Sequence, residues 1–259
     1  RHRFRAIVTR EDMQMIMVDT PGMHKPHDAL GEELNTSAIK AMEDVDVVAF
    51  LVDASKPVGT GDEWVARQVR EVRGARKILV ITKADLVSKE TAIQQLEAAR
   101  ALGTWDDEVV LSSKNGFNVE GFVQAVAKWL PEGPKWFPED MDTDQPFEVL
   151  VAEFIREKIL RSYRDEVPHS IGVVADQMTY DRKKDMYRIF ANVYVERDSQ
   201  KGIIIGKGGE AIKKVGIEAR RDLEQMLGCK VFLDMQVKVK KNWRRDLNQI
   251  RRFGYGEGM

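Results

Sequence analysis

The sequence of 259 residues predicts two domains, a doubly wound α/β domain followed by an α+β domain. The length exceeds the usual size of one domain, and 43% of the residues are hydrophobic, which is enough for two cores. The first half carries short continuous apolar runs, which are typical of strands buried on both faces of a parallel sheet. The second half alternates apolar and polar residues, which indicates strands with one face in water.

Four apolar runs in the first half predict strands of one parallel sheet: residues 14–18, 47–52, 77–81 and 109–111. Helical segments lie between them, and Ser88 is the expected N-cap of a helix that ends near Gly103. Alternation over residues 4–8, followed by a polar turn, predicts an antiparallel hairpin at the sheet edge. Ligands of doubly wound sheets bind beyond the carboxyl ends of the strands, so the turns there are the candidate site.

The boundary between the domains is marked by a change of composition. From residue 131 to residue 146 the chain carries four prolines and no apolar period. We therefore assign residues 1–131 to the first domain, 132–146 to a linker and 147–259 to the second domain. Alternation at residues 187–195 and 231–239 predicts an antiparallel sheet, and the helix between these strands is expected to end at Gly228.

Charge differs between the halves although the whole chain has a net charge of -1. Residues 1–146 contain 18 Lys+Arg against 25 Asp+Glu, and residues 147–259 contain 23 against 17. The basic half suits a polyanion such as a nucleic acid, and a solvated lysine surface is the alternative. The single cysteine, Cys229, cannot form an internal disulfide, which fits a reducing cytoplasm. No apolar run reaches the roughly 18 residues that a membrane helix needs.

The first motif with nucleotide chemistry is Asp19-Thr20-Pro21-Gly22, directly after a predicted strand and followed by Met23. A carboxylate at this place can hold Mg²⁺ through water, and a glycine lets a backbone N–H approach a phosphate. An ordinary strand-to-turn junction is the alternative explanation of this motif alone.

Two further motifs follow the next strands and suit a guanine base. They are Thr82-Lys83-Ala84-Asp85 and Ser112-Ser113-Lys114. An aspartate can accept both hydrogens of the guanine N1–H and N2 amino edge, which adenine cannot offer. A lysine stem can lie across the purine, and backbone N–H groups of the last motif can reach the guanine O6. A solvated Lys-Asp pair in a plain turn is the alternative for either motif alone.

Together, the three motifs in this order resemble the third, fourth and fifth sequence elements of translation-factor-type GTPases. The resemblance implies that Asp19 and Gly22 sense Mg²⁺ and the terminal phosphate, that Lys83 and Asp85 grip guanine, and that Ser113 and Lys114 close over it. Two positions depart from the pattern: Thr82 replaces the usual asparagine, and Met23 cannot orient water by hydrogen bonding as a glutamine can.

No G-x-x-x-x-G-K-[ST] sequence, the phosphate-binding loop of such enzymes, occurs in the 259 residues. In the family this loop lies upstream, and Arg1-His2-Arg3 resembles the tail of the segment that follows it. We expect truncation, with a natural pseudo-GTPase as the alternative, and therefore little nucleotide affinity for these 259 residues alone.

The second half contains the most specific stretch, a GXXG sequence between two predicted helices. Glycines let a sugar-phosphate backbone pass close to the turn, and helix N-terminal amides attract phosphate. Apolar and basic neighbours complete the expected RNA site, whose residues are Lys201, Ile204, Ile205, Gly206, Lys207, Gly208, Gly209, Ile212, Lys213 and Lys214. A flexible glycine turn is the alternative.

A GTPase domain followed by a type II KH domain resembles the Era family of ribosome-assembly GTPases, over essentially the whole chain. Residues 164–170 and 252–255 also resemble Era segments. The resemblance implies GTP, GDP and Mg²⁺ as cofactors, GTP hydrolysis as a switch, and binding to the single-stranded 3′ end of small-subunit ribosomal RNA during assembly of that subunit. We also expect a cytoplasmic location, a monomeric state and, as suggested for some relatives, peripheral contact with the membrane. The rivals are a non-hydrolysing RNA-binding adaptor with a degenerate first domain and a KH fold that serves only as a structural interface.

Overall fold

A computed structural model describes residues 4–20, 22–23, 29–163 and 171–253. Two compact units emerge from the contacts within the chain, and Asp144 and Gln145 lie on either side of the division. The strands of the first unit are β1 (Phe4–Thr9), β2 (Gln14–Asp19), β3 (Val47–Asp53), β4 (Arg76–Thr82) and β5 (Asp107–Val110). Its helices are α1 (Ala29–Glu43), α2 (Thr60–Glu71), α3 (Lys89–Arg100) and α4 (Val119–Ala127).

The first unit is α/β, as predicted, and its main sheet is parallel. β3, β4 and β5 pair in that order, and their buried side chains form cores on both faces of the sheet. Ser88 caps α3, because its hydroxyl accepts from the N–H of Thr91 at 3.2 Å. The strands predicted at residues 47–52, 77–81 and 109–111 and the helix predicted after Ser88 are confirmed.

The placement of β2 in the parallel sheet was wrong. β2 pairs antiparallel with β1 in a separate two-stranded sheet, since the tight turn from Arg10 to Met13 reverses the chain. The hairpin itself was predicted correctly. β3 is also less covered than expected, because Leu51 is 60% exposed.

Residues 132–146, predicted as a linker, have no regular secondary structure and lie along the hairpin of the same unit. The N–H of Ile7 donates to the carbonyl of Asp142 at 2.8 Å, and the side-chain carbonyl of Gln14 accepts from the backbone N–H groups of Trp136 and Phe137. This segment is therefore tied to the first unit over most of its length.

The second unit contains α5 (Phe147–Ser162), β6 (Gly172–Asp181), β7 (Met186–Val195), α6 (Asp198–Ile205), α7 (Glu210–Leu227), β8 (Lys230–Val239) and α8 (Leu247–Arg252). β6 and β7 are antiparallel, but β7 and β8 are parallel, so the prediction of an antiparallel sheet was wrong for this pair. The reason is the α6–α7 crossover between them. One face of the sheet is exposed to solvent, as predicted, because the helices pack against the other face and form one apolar core with it. Gly228 ends α7 at φ 65°, as predicted.

Candidate nucleotide and RNA sites

The carboxyl ends of β3, β4 and β5 meet at one edge of the sheet. The register places Asp53 beside Thr82, and Ile81 beside Val110. The N–H of Ala84 donates to the carbonyl of Leu111 at 3.2 Å. The structure therefore brings the second and third sequence motifs together at the edge where doubly wound sheets bind ligands.

Asp85 is held by a buried serine from the neighbouring strand end. Ser112 is fully buried, and its hydroxyl donates to Oδ1 of Asp85 at 2.5 Å. Asp85 itself is exposed in a short 3-10 turn, Ala84–Leu86. A carboxylate offers about four acceptor sites on its two oxygens, so Asp85 can accept from Ser112 and still accept from a ligand without first losing rotational freedom. The sequence grouped Ser112 with the base-closing loop, and the structure assigns it this orienting contact.

Ser113 and Lys114 are exposed in a tight loop after β5. Ser112 and Phe117 bridge the loop through their backbones, and the Asn115 side chain accepts from the N–H of Phe117 at 3.0 Å. This closure keeps the loop beside Asp85, where a base edge would lie.

Thr82 and Lys83 connect this edge to the end of β3. The Thr82 hydroxyl donates to the carbonyl of Val52 at 3.1 Å, so the threonine that replaces asparagine is satisfied locally. The ammonium of Lys83 donates to Oδ2 of Asp53 at 2.6 Å. Sequence reasoning missed Asp53, although an acidic residue at the last position of the adjacent strand was a usable signal.

The first motif lies at the end of β2. Asp19 is exposed, Thr20 is half-buried, and Pro21 lies outside the described residues. Gly22 has open space around its missing Cβ, and Met23 packs against the core cluster that contains Val52 and Ala54. The segment after Asp19 is thus anchored near the end of β3.

In the described ranges, no group of three or more His, Cys, Asp or Glu could hold a metal ion. One exposed carboxylate, Asp19, nevertheless fits the predicted role, because Mg²⁺ keeps several waters and takes its remaining ligands from phosphate.

The GXXG loop joins α6 to α7 with backbone conformations that favour glycine. Gly206, Gly208 and Gly209 have φ of 72°, 61° and 80°. A Cβ on Gly206 would lie 2.6 Å from the Cβ of Ala211, whereas Gly208 and Gly209 face open space. The first glycine therefore allows the helices to meet, and the other two leave the backbone accessible at the start of the 18-residue helix α7.

Four lysines surround this loop, and three of them, Lys207, Lys213 and Lys214, are exposed, while Lys201 is half-buried. None of the four takes part in an ion pair within the part of the chain that the structure describes. Their charges are free to meet a polyanion.

The isoleucines of the motif divide into two groups. Ile205 and Ile212 are half-buried beside the loop, but Ile204 is completely buried in the core, so its side chain supports the site and was wrongly expected at its surface. The Tyr163 hydroxyl donates to the carbonyl of Ile204 at 2.7 Å and fixes the end of α6. Sequence reasoning missed Tyr163. Residues 164–170, which resemble an Era segment, lie outside the described residues.

No helix among the described residues is long and apolar enough to cross a bilayer.

Comparison with known proteins agrees with the predicted fold of a GTPase domain followed by a KH domain. A family model described as KH domain matches residues 166–244, and one described as 50S ribosome-binding GTPase matches residues 1–83. The chain is 33% identical to a crystal structure of Era in complex with MgGDPNP and nucleotides 1506–1542 of 16S ribosomal RNA, with a TM-score of 0.94 over 99% of this chain and 87% of that chain. The same values hold for a crystal structure of an Aquifex aeolicus Era variant bound to GDP and AlF4⁻.

Proposed function

Because the chain belongs to the Era family of GTPases, we propose that the intact protein binds and hydrolyses GTP and binds the single-stranded 3′ region of small-subunit ribosomal RNA. The observation that carries the proposal is the presence, in one chain, of a serine-held Asp85 and an accessible GXXG loop. The related Era crystallised with MgGDPNP and 16S ribosomal RNA nucleotides supports it. We place the activity in assembly of the small ribosomal subunit, with GTP hydrolysis as the switch.

Guanine selectivity rests on Asp85. Its carboxylate is acceptor-only, so it pairs with the two donors of the guanine edge and leaves adenine unmatched. Ser112 holds one oxygen of this carboxylate, and Lys83 supplies an apolar stem for the purine face. Ser113 and Lys114 lie in the exposed loop that would close over the base.

Mg²⁺, when bound with the nucleotide, neutralises charge on the phosphates. Asp19 would hold it through water, and the backbone of Gly22 would approach the terminal phosphate. Met23 has no polar side-chain group to orient water, and its half-buried packing against the core fits slow hydrolysis.

RNA binding rests on exposed backbone and on lysines that form no ion pair with any other described residue. A ribose-phosphate chain can pass Gly208 and Gly209 without meeting a side chain, and Lys207, Lys213 and Lys214 can neutralise its phosphates. Ile205 and Ile212 provide an apolar contact for unstacked bases.

A cytoplasmic location and a monomeric state complete the proposal, together with the small ribosomal subunit as partner and peripheral contact at the inner membrane face. Light scattering of the purified protein tests the monomeric state. Fractionation of cells tests the location, the membrane contact and the association with the small ribosomal subunit.

Two titrations of the full-length protein test the main proposal. A fluorescent GDP analogue should bind with Mg²⁺ while the ADP analogue does not, because Asp85 offers adenine no partner. A labelled oligonucleotide with the 3′ sequence of small-subunit ribosomal RNA should bind, and its complementary duplex should not, since the loop needs unstacked bases. RNA binding without nucleotide binding would instead favour the non-hydrolysing adaptor. Failure of both titrations would reject the proposal.

A further inference from the structure

An ion pair couples the ends of β3 and β4 at the candidate guanine site. Asp53 is the last residue of β3, and its Oδ2 accepts from the ammonium of Lys83 at 2.6 Å. The sequence motifs account for Lys83 but assign nothing to Asp53. Its position in register with Thr82 places it one strand away from the predicted guanine motif.

The carboxylate of Asp53 is itself fixed on its other oxygen. Oδ1 accepts from the backbone N–H of Ser55 at 2.9 Å and from the Ser55 hydroxyl at 2.6 Å. Each oxygen therefore has a defined partner, and the orientation of the group is set before Lys83 reaches it. Hydrogen bonds thus connect Ser55 to Asp53, and Asp53 to Lys83.

Asp53 is less exposed than Lys83, which suits a residue that supports the lysine and does not itself contact a ligand. The Asp53 side chain is 21% exposed and the Lys83 side chain is 57% exposed. The donated hydrogen bond of Lys83, followed by that of Ser55, lowers the pKa of Asp53 to about 2. Asp53 is thus fully ionised at neutral pH, and the lysine is the member of the pair that faces solvent.

Lys83 needs such a support because, among the residues that the structure describes, its ammonium has Asp53 as its one partner. Its backbone has φ 57° and ψ 36°, the left-handed region that few non-glycine residues adopt, which sets the direction of the side chain. The four-carbon stem would still rotate, and ordering it against a purine would cost conformational entropy at the moment of binding. A pre-formed contact at the ammonium lowers that cost.

We propose that Asp53 is a positioning residue for guanine-nucleotide binding, which holds the ammonium of Lys83 so that its stem is ordered against the purine face. The inference rests on the proposed GTP-binding function. In this arrangement Asp85, braced by Ser112, selects the base, and Asp53, braced by Ser55, sets how tightly any purine nucleotide is held.

The two carboxylates therefore make separable predictions. Loss of Asp53 should weaken binding of guanine and hypoxanthine nucleotides by the same factor, because the lysine stem contacts the ring face and not its edge. Loss of Asp85 should instead change the preference between bases. A residue that only stabilises the fold would weaken binding to the same extent whether or not Lys83 is present, so the dependence on Lys83 distinguishes the two roles.

The test is a double-mutant cycle in the full-length protein, with fluorescent GDP and IDP analogues as probes. Asp53→Ala and Asp53→Asn should each raise the Kd for both probes by about three- to ten-fold. Lys83→Ala should raise it at least as much. The double variant Asp53→Ala with Lys83→Ala should match Lys83→Ala alone within about two-fold, because Asp53 acts through the lysine.

A matched control lies at the opposite edge of the same sheet. Asp106 also ties strand ends together, since its carboxylate accepts from the N–H of Lys77 at 2.8 Å and from Arg76 at 3.1 Å. Asp106→Ala should leave the Kd for GDP unchanged. Thermal unfolding of every variant shows whether it is folded, and the Asn variant of residue 53 preserves the size of the side chain.

The outcomes separate the inference from the function on which it rests. A wild-type protein that binds no GDP would reject the proposed function itself. Wild-type binding with unchanged Kd in both Asp53 variants would overturn the inference alone. Additive losses in the double variant, or equal losses in Asp106→Ala, would also overturn it, because they indicate a general effect on the sheet.

Discussion

The guanine-type site and the GXXG loop are built by opposite means. At the first, side chains from adjacent strand ends hold one another, as Ser112 holds Asp85 and Asp53 holds Lys83. At the second, side chains are missing, and Gly208 and Gly209 leave the backbone open to solvent. The first can therefore distinguish the edge of a base, whereas the second provides room for a chain of riboses and phosphates.

The largest effect is expected at the GXXG loop, where added side chains would block the open backbone. Lys207→Asp with Gly208→Asp should lower the affinity for a single-stranded oligonucleotide by about 100-fold or more, because it adds both bulk and negative charge. Thermal unfolding should change little, since Lys207 is exposed and aspartate tolerates the left-handed conformation at residue 208. Fluorescence anisotropy measures the binding.

A control variant reverses the charge of two lysines elsewhere in the same domain. Lys183 and Lys184 lie exposed in the turn between β6 and β7. Changing both to Asp alters the net charge by four, compared with three for the loop variant, so a similar loss in the control would attribute binding to charge alone. Undiminished binding by the loop variant would reject the GXXG assignment.

At the candidate guanine site, a substitution of Asp85 should change which base is preferred. Asp85→Asn replaces one acceptor with an amide that also donates, so GDP affinity should fall by about 100-fold while xanthine diphosphate, whose edge offers an acceptor, should bind better than GDP. Competition titrations on the full-length protein measure both. A uniform loss for all bases would show that Asp85 stabilises the site without reading the edge.

The sequence was sufficient for residues whose role depends on local pattern. The strand-end motifs, the Ser88 cap and the Gly228 stop each follow from neighbours within a few positions, and the structure has them as expected. The parallel pairing of β7 with β8 was missed because alternation reports a wet face and not strand direction, which the crossover helices determine.

Contacts between distant segments could not be predicted from the sequence. Asp53 and Lys83 are 30 residues apart, and Tyr163 reaches a carbonyl 41 residues away, so no window of the chain contains both partners. Ile204 shows the converse limit. Three consecutive isoleucines give no local signal for which one faces the core, and the helix places residue 204 inward.

Within the GXXG loop, two glycines should separate stability from binding. Gly206→Ala places a Cβ 2.6 Å from Ala211 at φ 72°, and should lower the free energy of unfolding by about 2–4 kcal/mol. Gly209→Ala meets only the strain of φ 80°, about 1 kcal/mol, but its methyl would stand in the proposed path of the RNA. Urea unfolding and anisotropy, with Gly202→Ala in α6 as the control, measure both effects. Equal stability losses would contradict this division.

The smallest expected effect concerns pH, to which the first site should respond through its ion pair. Hydrogen bonds from Lys83 and Ser55 lower the pKa of Asp53 from 3.8 to about 2, so the folded protein binds fewer protons than the unfolded chain in that interval. The stabilisation is fully present above pH 3.8 and is lost as the pH falls toward 2. Carboxyl NMR titration should give a midpoint near 2 in the wild type, and a higher one in Lys83→Ala, where Ser55 alone remains. An identical midpoint in both proteins would show that the ion pair does not persist in solution, and the two sites would then differ less than their geometry indicates.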